Sequence, residues 1–298
     1  MFQGSMVAIV TPMNTDGSLD IESFKKLLDF HIESKSDGVV VAGTSGEAPT
    51  IDFDEHTYLI KEAVSHVNGK IPVIAGSGAN STKEAIFLTK KSKELGADAC
   101  LLITPYYNKP NQKGMFEHFK AINDNVQIPQ ILYNVPCRTG VDIDNKTVTD
   151  LSSLRNIIGI KDATGEIDRL DDLKNSVHKE FLFFSGDDIT FLDYMGHGGS
   201  GVISVTANIR PDLMYEACKK MLNKQFEAAK VVNKKLELLH QAMFIESNPI
   251  PVKWLLSHLG KINANIRLPL VSLDKQYHQK LITAYEASLW KSLLACQF

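Results

Sequence analysis

Lys161 closes an apolar run, Ile157-Ile158-Gly159-Ile160-Lys161-Asp162, where an unpaired ammonium would carry a heavy desolvation cost. Burial disfavours the charged form: moving a lysine pKa from about 10.4 to about 7.5 raises the neutral fraction at pH 7 from ~0.04% to ~20%. Only the neutral amine attacks a ketone, so the position suits covalent catalysis through a Schiff base. The bland alternative is a four-carbon stem that snorkels to a rim and makes a salt bridge there. Tyr133 alternates with Ile131 and Val135, so the three share one face of a strand. A neighbouring strand runs about 4.8 Å away, and a phenol beside a reactive amine can shuttle protons through carbinolamine formation and dehydration. Its alternative is a core-filling aromatic with a satisfied hydroxyl.

Two further segments suit small carboxylates. Gly43-Thr44-Ser45-Gly46-Glu47 offers adjacent hydroxyls and closely spaced backbone amides between glycines, or simply a tight turn. Arg138, in Pro136-Cys137-Arg138-Thr139-Gly140, offers a fork for bidentate carboxylate binding, or is a surface arginine. The glycine-rich stretch at 196–201 looks like a phosphate cradle but precedes a strand, which favours a structural reading. Cys100, Cys137, Cys218 and Cys296 have no metal-ligand spacing and read as reduced, structural thiols. No metal site is expected.

These residues need a scaffold, and short β-branched runs alternating with helix-period segments supply one. Strands are expected at Met6–Val10, Gly38–Ala42, Ile71–Ala75, Ala99–Thr104, Gln130–Val135, Ile157–Lys161, Phe181–Ser185 and Gly201–Val205. Helices such as Ile21–Ser34, Asp52–Val67, Thr82–Glu94 and Lys113–Asn125 lie between them, with apolar stripes and cap-forming residues at several starts. Eight such repeats predict a (β/α)8 TIM barrel over residues 1–223. A C-terminal helical appendage follows over 224–298, read as Phe226–Phe244, Pro251–Leu259 and Lys275–Leu294. A doubly wound open sheet competes, but the repeats have near-equal length and no GxGxxG follows the first strand. In a barrel the C-terminal ends of the strands carry the active site. That rule gathers Thr44, Ser45, Tyr106, Tyr107, Tyr133, Arg138, Lys161, Gly186 and Ile203 on one face.

Composition excludes other classes. The chain has 298 residues, 44% hydrophobic and 22% charged, with a formal net charge of -3. There is no basic stripe for nucleic acid or an anionic membrane. The N-terminus, MFQGSMVAIVTPM, lacks a charged n-region and a span-length apolar run, and reads as a cytoplasmic start.

With Gly43 to Glu47, Tyr106-Tyr107-Asn108-Lys109-Pro110, Tyr133-Asn134-Val135-Pro136, Arg138-Thr139-Gly140, Gly159-Ile160-Lys161-Asp162, Ser185-Gly186-Asp187-Asp188 and Asn248-Pro249-Ile250-Pro251-Val252-Lys253 in this order, the chain resembles the dihydrodipicolinate synthase and N-acetylneuraminate lyase family of pyruvate-dependent class I aldolases. The tyrosine pair, Arg138 and the Asn248–Lys253 segment most resemble the branch that condenses pyruvate with L-aspartate 4-semialdehyde on the diaminopimelate route to lysine. An N-acetylneuraminate lyase or 2-keto-3-deoxy sugar acid aldolase of the same family is the alternative, and a non-catalytic keto-acid sensor a more distant one. The resemblance implies that Lys161 forms the imine and that no cofactor is needed. It implies that Tyr133, Thr44 and Tyr107 relay protons, Tyr107 coming from a neighbouring subunit. Arg138 is implied to hold the semialdehyde carboxylate, with Ser45, Gly186 and the Ile203 backbone around the substrates. It further implies a homotetramer built as a dimer of dimers, and L-lysine as feedback inhibitor at a site matching His56, Asn80, Glu84 and Tyr106. Ala48, Pro49 and Phe53 depart from the commonest lysine-sensitive pattern.

Overall fold

A computed structural model describes residues 2–289. Eight parallel strands close into a barrel in chain order, the last pairing with the first. Through the first half the order is β1 (Gly4–Ala8), α1 (Ile21–Glu33), β2 (Gly38–Val41), α2 (Phe53–Val67), β3 (Val73–Gly76), α3 (Thr82–Glu94), β4 (Ala99–Ile103) and α4 (Gln112–Asn125). The second half runs β5 (Gln130–Asn134), α5 (Pro136–Thr139), α6 (Asn145–Ser152), β6 (Ile157–Asp162), α7 (Ile167–Lys174), β7 (Leu182–Ser185), α8 (Phe191–Gly196), β8 (Gly201–Ser204) and α9 (Pro211–Leu222). Beyond the barrel lie α10 (Phe226–Asn233), α11 (Glu237–Ala242), α12 (Ile250–His258) and α13 (His278–Leu289). No helix among the described residues is long and apolar enough to cross a membrane.

The helices start where side chains can satisfy their first amides. Asp52 and Glu55 form a reciprocal capping box at α2, and Asp20, Ser81, Asn111 and Asp144 cap α1, α3, α4 and α6. Apolar faces of these helices and the outward faces of the strands make one core, which also takes in Leu236, Leu239, Leu255 and Leu281 from the C-terminal segment. A second cluster, including Met6, Ile74, Ile131, Tyr133, Phe184 and Ile203, fills the barrel. The glycine-rich stretch at 196–201 leads into the start of β8, away from the strand ends that carry Lys161.

Several boundaries differ from expectation. β1 lies two residues earlier than Met6–Val10 because Gly4 and Ser5 pair with Gly201 and Val202, while the Val10 amide is diverted to the Asn208 side chain at 3.1 Å. β3 starts at Val73 because Pro72 has no amide to give, although its carbonyl accepts from Val39 at 2.9 Å. The single helix expected at Phe226–Phe244 is two, α10 and α11. Tighter turns at Lys235 and Leu236 join them, and both Leu236 and Leu239 are fully buried. The helix expected at Lys275–Leu294 opens with one 3-10 turn at Lys275–Tyr277 capped by Asp274; its expected end at Leu294, like Cys296, lies outside the described residues.

One irregularity decides the chemistry. Strict alternation along β6, starting from outward-facing Ile157, would turn Lys161 out of the barrel. Instead the register between β5 and β6 slips after Gln130: Gln130 pairs with Ile157, but Ile131 pairs with Gly159 and Tyr133 with Lys161. The extra residue is a bulge, and it re-aims every later side chain. Only glycine fits at its second position, since a Cβ on Gly159 would lie 2.5 Å from the Leu182 carbonyl oxygen.

Candidate active site

The slipped register sets Ile103, Tyr133, Lys161 and Phe184 side by side across β4 to β7. Lys161 is 6% exposed, and its Nζ stands 4.3 Å from the centroid of the Tyr133 ring. Burial pushes its pKa from 10.5 down to about 8; Asp188 opposes that shift, and Arg138 adds to it. At pH 7 roughly one amine in ten is then neutral. Burial also pushes the Tyr133 phenol up to about 12, against the pull of Arg138 and a hydrogen bond with Thr44. At neutral pH Tyr133 therefore holds its proton and begins as a donor.

These groups open into a cavity of about 520 Å3 at the C-terminal ends of the strands. Thr44, Ser45, Arg138 and Gly186 line it with Lys161 and Tyr133. Ser45 is buried, and its hydroxyl accepts from the Asn248 amide at 3.0 Å. Arg138 rides the short α5 at the rim, where Nη2 donates to the Asn248 carbonyl at 3.4 Å. Gly186 leaves space for the lysine stem: a Cβ there would sit 2.7 Å from the Ala163 Cβ and 3.0 Å from the Lys161 Cε. Gly186→Ala is thus expected to displace the amine and lower kcat about 10- to 100-fold, as misplacement of about 1 Å does, and to lower the thermal midpoint by a few degrees, because the Ala163 Cβ cannot swing aside and overpacking costs stability. Steady-state kinetics beside a melting curve check this, and unchanged kcat would show that the stem has room to move.

Not every expected residue arrives. Tyr107 stands at φ 72° and 89% exposed, and does not line the cavity of its own chain. The Ile203 side chain packs inside the barrel, and Val205, just past β8, lines the cavity instead. His56, Glu84 and Tyr106 line the same cavity as Lys161. Asn80 joins them through its amide, which donates to the Tyr106 carbonyl at 3.1 Å. His56 bonds through Nε2 with the Gly76 carbonyl at 2.7 Å, leaving its buried Nδ1 unpartnered.

The structure adds residues that sequence reasoning did not select. Asp188 is buried, and one carboxylate oxygen accepts the amides of Val205 and Thr206 at 2.9 and 2.8 Å. Lys253 and Glu47 form a buried ion pair at 2.5 Å. Lys253 sits in Ile250-Pro251-Val252-Lys253-Trp254-Leu255-Leu256, and a lone charge in an apolar run, the signal that singles out Lys161, points to it equally. Together the cavity offers an amine that is part neutral, an adjacent proton donor and a rim guanidinium, the equipment for joining a keto acid to a second, anionic carbonyl compound.

A profile of the dihydrodipicolinate synthetase family matches residues 1–288. A 4-hydroxy-tetrahydrodipicolinate synthase of Nitrosomonas eutropha is 56% identical over 279 residues, covering 94% of this chain and 96% of that protein. Among solved structures, the chloride-inhibited dihydrodipicolinate synthase from Acinetobacter baumannii complexed with pyruvate superposes with a TM-score of 0.95 at 51% identity, over 97% of this chain and 99% of the other. The enzyme from Cyanidioschyzon merolae with lysine bound gives 0.94 at 35% identity, over 96% and 98%.

Proposed function

Because the chain belongs to the dihydrodipicolinate synthetase family, we propose that it condenses pyruvate with L-aspartate 4-semialdehyde, as a 4-hydroxy-tetrahydrodipicolinate synthase does, through a Schiff base on Lys161. The carrying observation is the buried amine over the Tyr133 ring in a cavity whose rim bears Arg138. The name shared by the curated relatives supports this reading over a sugar-acid aldolase, and so does the rim guanidinium.

The neutral amine of Lys161 adds to the pyruvate ketone; the carbinolamine loses its oxygen as water and becomes an iminium. That cation acidifies the pyruvate methyl, and loss of a methyl proton yields an enamine. The enamine carbon attacks the aldehyde of the semialdehyde, whose carboxylate Arg138 holds. The product's own amine then displaces Lys161 and closes the ring, returning the free enzyme, so ping-pong kinetics are expected. Each proton step needs a relay: Tyr133 takes the position beside the amine, Thr44 the next, and Tyr107 of a neighbouring subunit the last, consistent with its exposure here. Ser45, Gly186 and the Ile203 backbone surround pyruvate. Such a relay requires assembly, for which we infer a homotetramer of two dimers.

Borohydride added with pyruvate, followed by peptide mapping, is the direct test: Lys161 gains the reduced pyruvyl adduct, and an unmodified Lys161 overturns the mechanism. Coupled assays with aspartate semialdehyde and with N-acetylneuraminate separate the two aldolase readings. The group His56, Asn80, Glu84 and Tyr106 is read as a site for L-lysine as feedback inhibitor. The expected result is a fall in initial rate as lysine is titrated into the millimolar range, and a flat titration removes that assignment.

A further inference from the structure

We propose that Glu47 and Lys253 are a positioning pair for the loop bearing Thr44 and Ser45, which makes the C-terminal segment a working part of the active site; the proposal rests on the Schiff-base reading of that site. The loop needs holding. Ala42 and Glu47, neither of them glycine, bracket it in left-handed conformations at φ 54° and 58°, and such residues persist only where their surroundings over-determine them. From the barrel side, the Thr11 hydroxyl donates to the Gly46 carbonyl at 2.8 Å. Thr44 also bonds with the Tyr133 hydroxyl, and the ties on Ser45 and the Glu47 side chain come from residues some two hundred positions later in the chain. Lys253 Nζ reaches Glu47 Oε1 at 2.5 Å, with side chains 2% and 1% exposed. The Arg267 amide donates to Glu47 Oε2 at 3.1 Å, and the Asn248 side chain donates to Ser45 Oγ at 3.0 Å.

Arg267 in turn is anchored. Its guanidinium donates to the carbonyls of Gly17 and Thr50 and to both oxygens of Glu55. The loop is therefore clamped between α12, the 267 segment and the start of α2. Stability alone does not explain a charge pair so fully removed from water, because a well-packed apolar pair of the same volume holds a fold as well or better. What the ion pair supplies is direction: a carboxylate with both oxygens engaged admits one placement of Glu47, and with it one placement of the hydroxyls two and three residues earlier.

The double variant Glu47→Gln/Lys253→Met removes both charges together, so no buried charge is orphaned. It is expected to melt cooperatively near the native midpoint, while kcat/KM for pyruvate falls about 10- to 100-fold and KM for the semialdehyde stays within about twofold. Thr44→Val is expected to be costly in the native chain and to add less than about fivefold in the double variant, because residues acting through one loop are not additive. Native kinetics in the double variant, or an equal Thr44→Val effect in both backgrounds, overturns the proposal. Should the double variant not fold, Glu47→Asp carries the test, keeping the charge and shortening its reach by one methylene; an unchanged pyruvate KM there is equally decisive. Failure of the native chain to trap pyruvate on Lys161 rejects the Schiff-base reading alone, since the kinetic cycle does not depend on which bond forms.

Discussion

Lys161→Met is expected to abolish pyruvate trapping, to lower kcat at least about a thousandfold, and to stabilise the protein. The activity loss follows from removing the amine proposed to form the covalent bond. The gain in stability follows from linkage. Burial lowers the pKa from 10.5 to about 8, so the folded state binds fewer protons than the unfolded state between those values. The cost of burying the amine is present in full below about pH 8, diminishes as pH rises, and vanishes above about 10.5. By that arithmetic the methionine variant, close in volume, gains on the order of 3 kcal/mol at pH 7 as an upper bound, since Asp188 loses its neighbouring cation. Denaturant melts at pH 7 and pH 10 measure the difference. A variant no more stable at pH 7, or equally favoured at both, would show that Lys161 keeps its charge at no cost.

Tyr133→Phe is expected to lower kcat about 100- to 1000-fold, within the range for loss of a positioned proton donor, with smaller effects on substrate KM. The ring remains beneath the amine, so pyruvate should still be trapped on Lys161, only more slowly. Because burial of the amine sets its pKa, the rise of trapping rate with pH, half complete near pH 8, should survive in the variant. Displacement of that midpoint by a full unit would mean that the phenol, rather than burial, tunes the amine.

Both effects trace to a site whose members were unevenly legible. Lys161 and Tyr133 stand out in the sequence because charge and phenol interrupt apolar strand patterns, and an interruption of that kind needs a physical reason. The glycines and hydroxyls of 43–47 announce a turn able to meet an anion. Lys253 interrupts its apolar run just as visibly, yet a helix offers several faces, and only packing reveals that this one meets Glu47.

Alternation of apolar segments, cap residues and turn residues is local, and it suffices for eight βα repeats, a closed barrel and the face on which chemistry occurs. The inward aim of Lys161 is not local. It depends on a slipped register at Gln130–Ile131 and on a backbone approach at Gly159 that no side chain allows, both properties of neighbouring strands. The same holds for the clamp on Thr44 and Ser45, whose partners lie some two hundred residues away and meet only after the barrel has closed. Sequence by itself determined which residues could react; tertiary structure decided where they point, because direction is set by pairing and packing between segments that carry no record of one another.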